Sequence, residues 1–290
     1  MFSKMLVATD LSEASERVIC TLGGLKALGT QEAVLVHCFN IRDVGTLADT
    51  LMEAAQPTFD RQKQALEGLG FRVTGEMVLG LPHIEINRMA REHGCSLIVV
   101  GSHGETMAGQ IMLGGVASAV IHSAELPVLI LRLRLEEENG QVTCGEVECD
   151  PLEHVLFPTD FSDNAEHAFS WVEKIAECGA RRITLLHVQD KTLIGRHLTE
   201  RLDEFNRIDT ERLERLEKTL VEMGAGQVVL DLPFGHPKQE IIARTKGDGV
   251  SLVVMGSQGR GYLAEFFTGS VSHAVARRSE APVLLIPAVR

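Results

Sequence analysis

Aromatic side chains are scarce in this sequence: Phe, Trp and Tyr make up 4% of its 290 residues, with a single Trp and a single Tyr. Few rings are therefore available to stack against the bases of a nucleic acid. Basic residues are also in the minority, and the formal net charge of −12 at pH 7 argues against a broad surface for phosphate backbones. We therefore expect no nucleic-acid partner.

The sequence also lacks an apolar run long enough to cross a bilayer, and it enters a strand pattern at once, without a signal peptide. Six cysteines in a chain of this size do not make a disulfide framework. Four of them fall within apolar patterns and are expected to be buried thiols, namely Cys20, Cys38, Cys95 and Cys178. These features predict a cytoplasmic protein without a membrane partner.

What the sequence does contain is an internal repeat of domain length. The segment KMLVATDLS at 4–12 matches HVLFPTDFS at 154–162, and GSHG at 101–104 matches GSQG at 256–259. A repeat this long indicates a duplicated domain and not a solenoid unit. We place the two domains at 1–133 and 152–290, joined by a polar linker at 134–151.

Each half alternates strand patterns with helix patterns. Strands are predicted near 4–9, 32–38, 71–78, 97–101 and 127–132, and near 153–158, 181–188, 227–231, 251–255 and 282–287. Helices are predicted near 13–28, 49–69, 83–93 and 115–124, and near 163–178, 194–223, 236–247 and 270–279. Apolar runs such as LIVV at 97–100 are typical of parallel strands covered on both faces. The alternation predicts an α/β fold with two doubly wound open sheets of parallel strands, each with a ligand crevice at the carboxyl ends.

A glycine-rich segment follows the fourth strand of each half. In the second half it runs from Met255 to Val271 with the spacing G-x2-G-x9-G-S. Glycines let a backbone approach phosphate oxygens, a helix N-terminus presents unpaired N–H groups, and a serine hydroxyl adds a donor. The lysine of a Walker loop is missing, and the spacing differs from G-x-G-x-x-G. Because the pattern occurs twice, we interpret it as an anion site and not as turn and packing glycines alone.

The combination of PTDFS, LLHV, the glycine pattern and a final PVLLI strand resembles the universal stress protein family in its tandem-domain form. The resemblance covers almost the whole chain apart from the linker. It implies two open sheets of five parallel strands, of the Rossmann-like type called adenine nucleotide alpha hydrolase-like. Many members of the family bind ATP or a related adenine nucleotide, so the resemblance implies ATP or AMP as ligand, with Mg²⁺ accompanying ATP.

In the second half the resemblance implies a complete site. Asp160 would bind the ribose hydroxyls or the adenine edge, Val188 would contact adenine, and Met255 would pack near the base or the sugar. A carboxylate suits ribose hydroxyls, which donate hydrogen bonds, and N–H groups suit phosphates, which accept them. The positions that shape the first loop or approach the phosphates are Pro158, Thr159, Gly256, Ser257, Gly259, Gly269, Ser270 and Val271.

The first half departs from the family pattern at three positions. Ala8 replaces the proline of the first loop, Cys38 replaces the valine at the adenine position, and Gly115 replaces the Ser/Thr at the phosphates. Loss of the hydroxyl removes one donor, at a cost of about 1–3 kcal/mol in a desolvated contact. We expect this site to be weaker, altered or empty; its candidate residues are Thr9, Asp10, Cys38, Gly101, His103, Gly104, Gly114, Gly115 and Val116.

Several of these residues also have a simpler structural interpretation. Asp160 is a good candidate to cap the helix that follows it. His37 and His187 end apolar strands, where a structural hydrogen bond is a more natural role than catalysis. We therefore leave both interpretations open for Asp160 and expect structural roles for the histidines.

Two other features are expected to carry no special chemistry. Cys144 and Cys149 fit no common zinc spacing and are expected to be linker thiols, so no metal site is predicted. The charged helix at 196–222 is expected to turn one apolar stripe to the sheet and a charged face to solvent.

The residues favour a nucleotide-binding regulatory or stress-response protein over an enzyme. We find no general base shared by the two loops and no carboxylate pair spaced for two metals. A slow ATPase remains an alternative. A further alternative is a ligand-free module that pairs through its last strands, 127–131 and 282–286. In either case the halves are expected to form an intrachain pseudo-dimer, with a homodimer of chains on top.

Overall fold

The computed structural model describes residues 1–102, 113–132, 150–194, 201–247, 249–258 and 269–288. The chain divides into two compact units, Met1–Asp150 and Pro151–Arg290. Most of the predicted linker, 134–151, lies outside the described residues, so its boundaries stay a prediction. Among the described residues, no helix combines the length and the apolar composition that a membrane span requires.

The first unit is an open sheet of five parallel strands in the order β3-β2-β1-β4-β5. Its strands are β1 (Lys4–Thr9), β2 (Glu32–Asn40), β3 (Arg72–Gly80), β4 (Leu97–Gly101) and β5 (Val128–Leu131). Its helices are α1 (Glu13–Cys20), α2 (Ile41–Val44), α3 (Ala48–Gly68), α4 (Pro82–Glu92) and α5 (Gly115–Ser123), with 3-10 helices at Leu22–Leu28 and Gly45–Leu47. Strand β1 therefore lies at the centre of the sheet, with β2 on one side of it and β4 on the other.

The second unit repeats this architecture in the order β12-β11-β6-β7-β9, again with all five strands parallel. Its strands are β6 (His154–Pro158), β7 (Arg182–Leu186), β8 (Gln189–Asp190), β9 (Gln227–Asp231), β10 (Phe234–Gly235), β11 (Leu252–Gly256) and β12 (Val283–Ile286). Its helices are α6 (Asp163–Glu177), α7 (Lys191–Ile194), α8 (Leu202–Glu222), α9 (Pro237–Gly247) and α10 (Ser270–Arg278). The short strands β8 and β10 pair only with each other.

The predicted fold class is confirmed, since each unit has five parallel strands with helices between them. Strands β4, β6 and β12 are buried over nearly their whole length, as expected of covered parallel strands. The helix predicted at 13–28 is instead two elements, α1 and a 3-10 helix. Gly23 and Gly24 stand at the start of the second element, and glycine weakens an α-helix interior.

The prediction that four cysteines are buried is wrong for one of them. Cys95 is buried and Cys38 and Cys178 are partly buried, but Cys20 is exposed. Ser15, together with two apolar neighbours on the same face, forms the buried stripe of α1. The last residue of this helix falls outside that stripe because of the helical period.

The two units differ in length after their second strand. Helices α3 and α8 have the same length, 21 residues. Residues 69–71 join α3 to β3, whereas 223–226 join α8 to β9. One of the five residues added in the second unit is therefore Gly226, and a Cβ there would lie 2.6 Å from the Arg181 carbonyl oxygen. The additional residue is therefore tolerated because it is glycine.

Candidate functional site

In the second unit, β6 lies between β7 and β11, so the chain leaves β6 and β11 on opposite sides of the sheet. Such a switch point opens a crevice at the carboxyl ends of the strands. The predicted residues gather at this end. Pro158 ends β6 and is followed by the loop to α6, Val188 follows β7, and Met255 and Gly256 end β11.

The loop from β6 to α6 is held by its own polar groups. The Thr159 N–H donates to the Leu186 carbonyl oxygen (2.9 Å), and the Thr159 hydroxyl oxygen accepts from the Phe161 N–H (3.1 Å). Asp160 Oδ1 accepts from the Ser162 N–H (3.1 Å) and from the Ser162 hydroxyl (2.6 Å). Phe161 adopts a left-handed conformation, with φ 55°. The tight turn thus directs the Asp160 carboxylate across the start of α6.

The cap of α6 is Ser162 and not Asp160. Ser162 Oγ accepts from the Ala165 N–H at 3.3 Å, which is the usual N-cap bond. Asp160 orients the capping serine and does not cap the helix itself. The capping interpretation of Asp160 is therefore wrong in detail, and its ligand role stays a prediction.

The start of α10 is hydrogen-bonded to the residue that follows β11, through the carbonyl group of Ser257. The Ser257 N–H donates to the Ile286 carbonyl oxygen (2.8 Å). The Ser257 carbonyl oxygen then accepts from the Gly269 N–H (2.7 Å) and from the Ser272 hydroxyl (2.7 Å). Ser272 was missed in the sequence analysis; its only signal was its place two residues after Ser270. This clamp fixes the helix N-terminus beside the strand end.

Helix α10 begins with the features of an anion site. Gly269 is its N-cap and makes no side-chain cap bond, and Ser270 is the exposed first helical residue, followed by Val271. The first N–H groups of a helix lack partners within the helix, and its dipole favours negative charge. Gly259 lies outside the described residues, so its predicted place in this segment stays a prediction.

The two sides of the crevice approach each other at Gly256. A Cβ at this position would lie 3.1 Å from the carbonyl oxygens of Asn164 and Gln258. The end of β11 therefore packs directly against the first turn of α6, just beyond the loop that carries Asp160. A side chain here would require one of these backbones to shift by a few tenths of an ångström, so the close packing favours glycine.

The first unit has the same skeleton, and its polar groups bond to two further side chains of the unit. Asp10 Oδ1 accepts from the Ser12 N–H (3.1 Å), the Ser12 hydroxyl (2.5 Å) and the Ser15 hydroxyl (2.5 Å). The Thr9 hydroxyl donates to Gln62 Oε1 at 2.6 Å, inside the unit. In the second unit, the residues equivalent to Ser15 and Gln62 are an alanine and a leucine. Their side chains can form neither of the hydrogen bonds that Ser15 and Gln62 make to Asp10 and Thr9.

The anion segment of the first unit is also reduced. The Gly114 N–H donates to the Ser102 carbonyl oxygen at 2.9 Å, as in the second unit, but Ala117 replaces the second clamping hydroxyl. Gly115 begins α5 with open space around it, since a Cβ would meet nothing within 4 Å. Gly101 and Val116 lie on either side of this segment, while His103 and Gly104 fall outside the described residues.

The structural roles expected for the two histidines are confirmed. His37 Nδ1 lies 2.9 Å from the Thr9 carbonyl oxygen, and His187 Nδ1 lies 2.8 Å from the Thr159 carbonyl oxygen. Each imidazole thus bonds to the backbone at the end of the neighbouring first strand. The same contact occurs in both units.

Alkylation with iodoacetamide at about pH 8 is expected to modify Cys20 before Cys38. Cys20 is exposed, whereas burial, reinforced by the Glu85 carboxylate, raises the pKa of Cys38 to about 11. The Cys38 rate should rise only as the pH approaches that value, because the thiolate is the nucleophile. Mass spectrometry of the two peptides over time measures both rates. Modification of Cys38 first would contradict the burial that the structure gives this thiol.

Fold and site together define a tandem α/β protein with a glycine-rich helix start at the switch point of each sheet. The sequence model of the universal stress protein family matches residues 1–132 and 151–287, and the chain belongs to this family.

Individual relatives cover either one half of the chain or most of it. Universal stress protein MJ0577 of Methanocaldococcus jannaschii is 30% identical over 155 residues, which are 46% of this chain and 96% of that protein. Universal stress protein Mb2028c of Mycobacterium bovis is 24% identical over 249 residues, 80% of this chain and 76% of that one. A crystal structure of a universal stress protein from Archaeoglobus fulgidus DSM 4304 matches with a TM-score of 0.76 and 25% identity, covering 98% of each chain.

Proposed function

We propose that the second unit binds an adenine nucleotide, ATP or AMP, and that the chain is a stress-response or regulatory protein. One observation carries the proposal: the close packing at Gly256, where an added Cβ would lie 3.1 Å from the Asn164 carbonyl oxygen. It joins two chemically different half-sites in one crevice. The loop with Asp160 offers a carboxylate, and the clamped start of α10 offers N–H donors.

The donors and acceptors of the crevice match those of a nucleotide. Ribose hydroxyls donate hydrogen bonds, which the Asp160 carboxylate accepts. Phosphates accept hydrogen bonds, which the α10 N-terminus and the Ser270 hydroxyl donate. Mg²⁺ would arrive with ATP, bound mainly by its phosphates. Val188 and Met255 are buried at the same end of the sheet, where the base would lie.

We propose further that the first unit binds the nucleotide more weakly. Its Thr9 hydroxyl already donates to Gln62, and its Asp10 carboxylate oxygen accepts three hydrogen bonds within the unit. A ligand would have to compete with these internal bonds. Gly115 also removes the hydroxyl donor at the phosphates.

The first test is calorimetric titration of nucleotide-stripped protein with ATP and then AMP, fitting the number of sites. We expect one tight site for each chain. Ser270→Ala should weaken it about tenfold, because one hydrogen bond to a charged phosphate is lost. The reciprocal variant Gly115→Ser should strengthen the first site, since its Cβ meets nothing within 4 Å. Folded protein that binds neither nucleotide would refute the proposal.

Catalysis is proposed to be absent or limited to slow ATP hydrolysis. Phosphate release from saturating ATP measures it, and rapid turnover would overturn this part of the proposal. The homodimer, the intrachain pseudo-dimer and the cytoplasmic location stay predictions, and sedimentation would measure the first.

A further inference from the structure

In the second unit, contacts link Phe161 of the β6–α6 loop to four side chains outside the loop, two of them on α8. We name the five residues the loop-support cluster: Phe161, His187, Gln189, Asp209 and Arg212. His187 Nδ1 bonds to the Thr159 carbonyl oxygen at 2.8 Å. His187 Nε2 lies 3.6 Å from Asp209 Oδ2, and Gln189 Nε2 donates to the same oxygen at 3.2 Å. The carboxylate is thus connected through the imidazole to the start of the candidate site.

The cluster also contacts the loop residue that has a positive φ. Phe161 has φ 55° and Leu11 has φ 64° at the same position of the first unit, so the turn common to both units sets this conformation. The ring of Phe161 lies 4.5 Å from the His187 ring, and the Arg212 guanidinium lies 5.2 Å from the Phe161 ring centre. Arg212 Nη1 is also 3.6 Å from Asp209 Oδ1. One carboxylate on α8 therefore orients both groups that pack against this ring.

The contacts favour the protonated imidazole. The Thr159 carbonyl oxygen can only accept, so Nδ1 carries a proton. Nε2 then faces the Asp209 carboxylate, which also only accepts when it is ionised. A neutral imidazole would turn a lone pair toward this carboxylate, whereas an imidazolium turns an N–H toward it. The side chains are 10% and 14% exposed, so water screens the interaction weakly.

In the described part of the chain, two further charged residues lie beside His187. Arg212 of α8 lies against the second oxygen of Asp209. On the side of β9, the backbone N–H of His187 donates to the backbone carbonyl oxygen of Asp231 at 3.0 Å. The Asp231 carboxylate itself is paired with Arg244 of α9, at 2.8 Å. Of these two carboxylates, Asp209 is therefore the one that faces the imidazole.

The first unit provides an internal comparison. His37 makes the same bond to the last carbonyl of β1, at 2.9 Å. Because α3 and α8 have equal lengths, the positions of Asp209 and Arg212 can be compared along them, and they carry Ala55 and Thr58 on α3. The carboxylate and guanidinium that meet the histidine and its neighbour in the second unit are thus replaced at these helix positions of the first unit by uncharged side chains.

We propose that Asp209 is a positioning residue that acts through protonated His187 to hold the loop presenting Asp160, so that nucleotide binding by the second unit tightens as His187 gains its proton. The proposal rests on the proposed nucleotide site. A preorganised loop lowers the cost of ordering on binding. The support is complete at pH values below the His187 titration and is lost as the pH rises through it.

The first experiment needs no nucleotide. The imidazole C–H resonances of His187 and His37 are followed by NMR as the pH is varied, in wild type, Asp209→Asn and Asp209→Glu. We expect His187 to titrate at a higher pH than His37, Asp209→Asn to lower that pH, and Asp209→Glu to restore it in part. A His187 titration at or below that of His37, or one insensitive to Asp209→Asn, would overturn the proposal.

The second experiment measures AMP affinity by calorimetry at about pH 6 and about pH 8, on either side of the ordinary histidine range. The AMP affinity of wild type is divided by that of Asp209→Asn at each pH, which cancels the titration of the AMP phosphate. We expect this ratio of affinities to be about five at the lower pH, because a fivefold change corresponds to one net hydrogen bond. At the higher pH we expect a ratio near one. Glu211→Gln, which alters an exposed ion pair with Arg207 on the same helix, should change neither value.

The outcomes separate the two proposals. AMP binding with the same pH dependence in wild type and Asp209→Asn would overturn the role of Asp209 and leave the proposed function intact. Absence of AMP and ATP binding at both pH values would overturn the proposed function and, with it, the coupling of the cluster to a ligand.

Discussion

Asp160→Asn is expected to weaken adenine nucleotide binding by the second unit about 10- to 100-fold, the effect of losing hydrogen bonds to a charged acceptor. Both bonds from Ser162 go to Asp160 Oδ1, so the asparagine Oδ1 can keep them and the loop should persist. The asparagine Nδ2, however, replaces a carboxylate oxygen by a donor, which faces the donating ribose hydroxyls unfavourably. Calorimetry measures the affinity, and thermal unfolding checks that stability is retained.

The matched control is Asp10→Asn in the first unit. Asp10 occupies the same position in its loop and accepts the same two bonds, from Ser12. If the tight site belongs to the second unit, this variant leaves its affinity unchanged. An equal loss in both variants would mean that the first unit contributes to the tight site, and a loss with Asp10→Asn alone would move the site to the first unit.

Gly226→Ala is expected to destabilise the protein by about 1–3 kcal/mol, as overpacking at a fixed backbone does. A Cβ would lie 2.6 Å from the Arg181 carbonyl oxygen, which is main chain and cannot rotate away. The Arg181 carbonyl oxygen also accepts from the Gln227 N–H at 2.9 Å, at the start of the β7–β9 pairing. Any shift that relieves the contact therefore disturbs the edge of the sheet.

The control for this variant is Gly247→Ala at the end of α9, where a Cβ would meet nothing within 4 Å. Alanine favours a helix over glycine by up to about 1 kcal/mol, so a neutral or slightly stabilising effect is expected. Urea unfolding followed by circular dichroism compares both variants with wild type. Equal stability of the two variants would show that the loop at 223–226 adjusts without cost.

Most of the fold was predictable from the sequence because its signals are local. Apolar runs of strand length, such as the one in β4, alternate with helical patterns, and the doubled segments show that the two halves share one plan. Strand ends agree within about two residues, the usual uncertainty of element boundaries. The short elements α2, α7, β8 and β10 were not predicted, since two to four residues carry too little periodicity.

The sequence predicted which residues belong to the candidate site but not the contacts that they make. The motif named Asp160, Gly256 and Gly269, and the topology brings their segments to one crevice. Ser272 was missed because its hydroxyl acts on a carbonyl on the far side of the glycine segment, at 2.7 Å.

The charged helix was expected to turn an apolar stripe to the sheet and a charged face to solvent. Leu213 and Leu220 are buried, as expected of the stripe, but Asp209 and Arg212 turn toward the candidate loop. The pattern of charged residues along a helix does not predict which of them contacts the end of a strand in the folded protein.

The sequence by itself determined the order of the elements, the duplication and the glycine-rich helix starts, because these depend on residues adjacent along the chain. The tertiary structure decided how the two repeats differ. Thr9 meets Gln62 in one unit, and His187 meets Asp209 in the other. Each pair joins the end of a strand to a long helix across many intervening residues, so its chemistry follows from packing and not from local pattern.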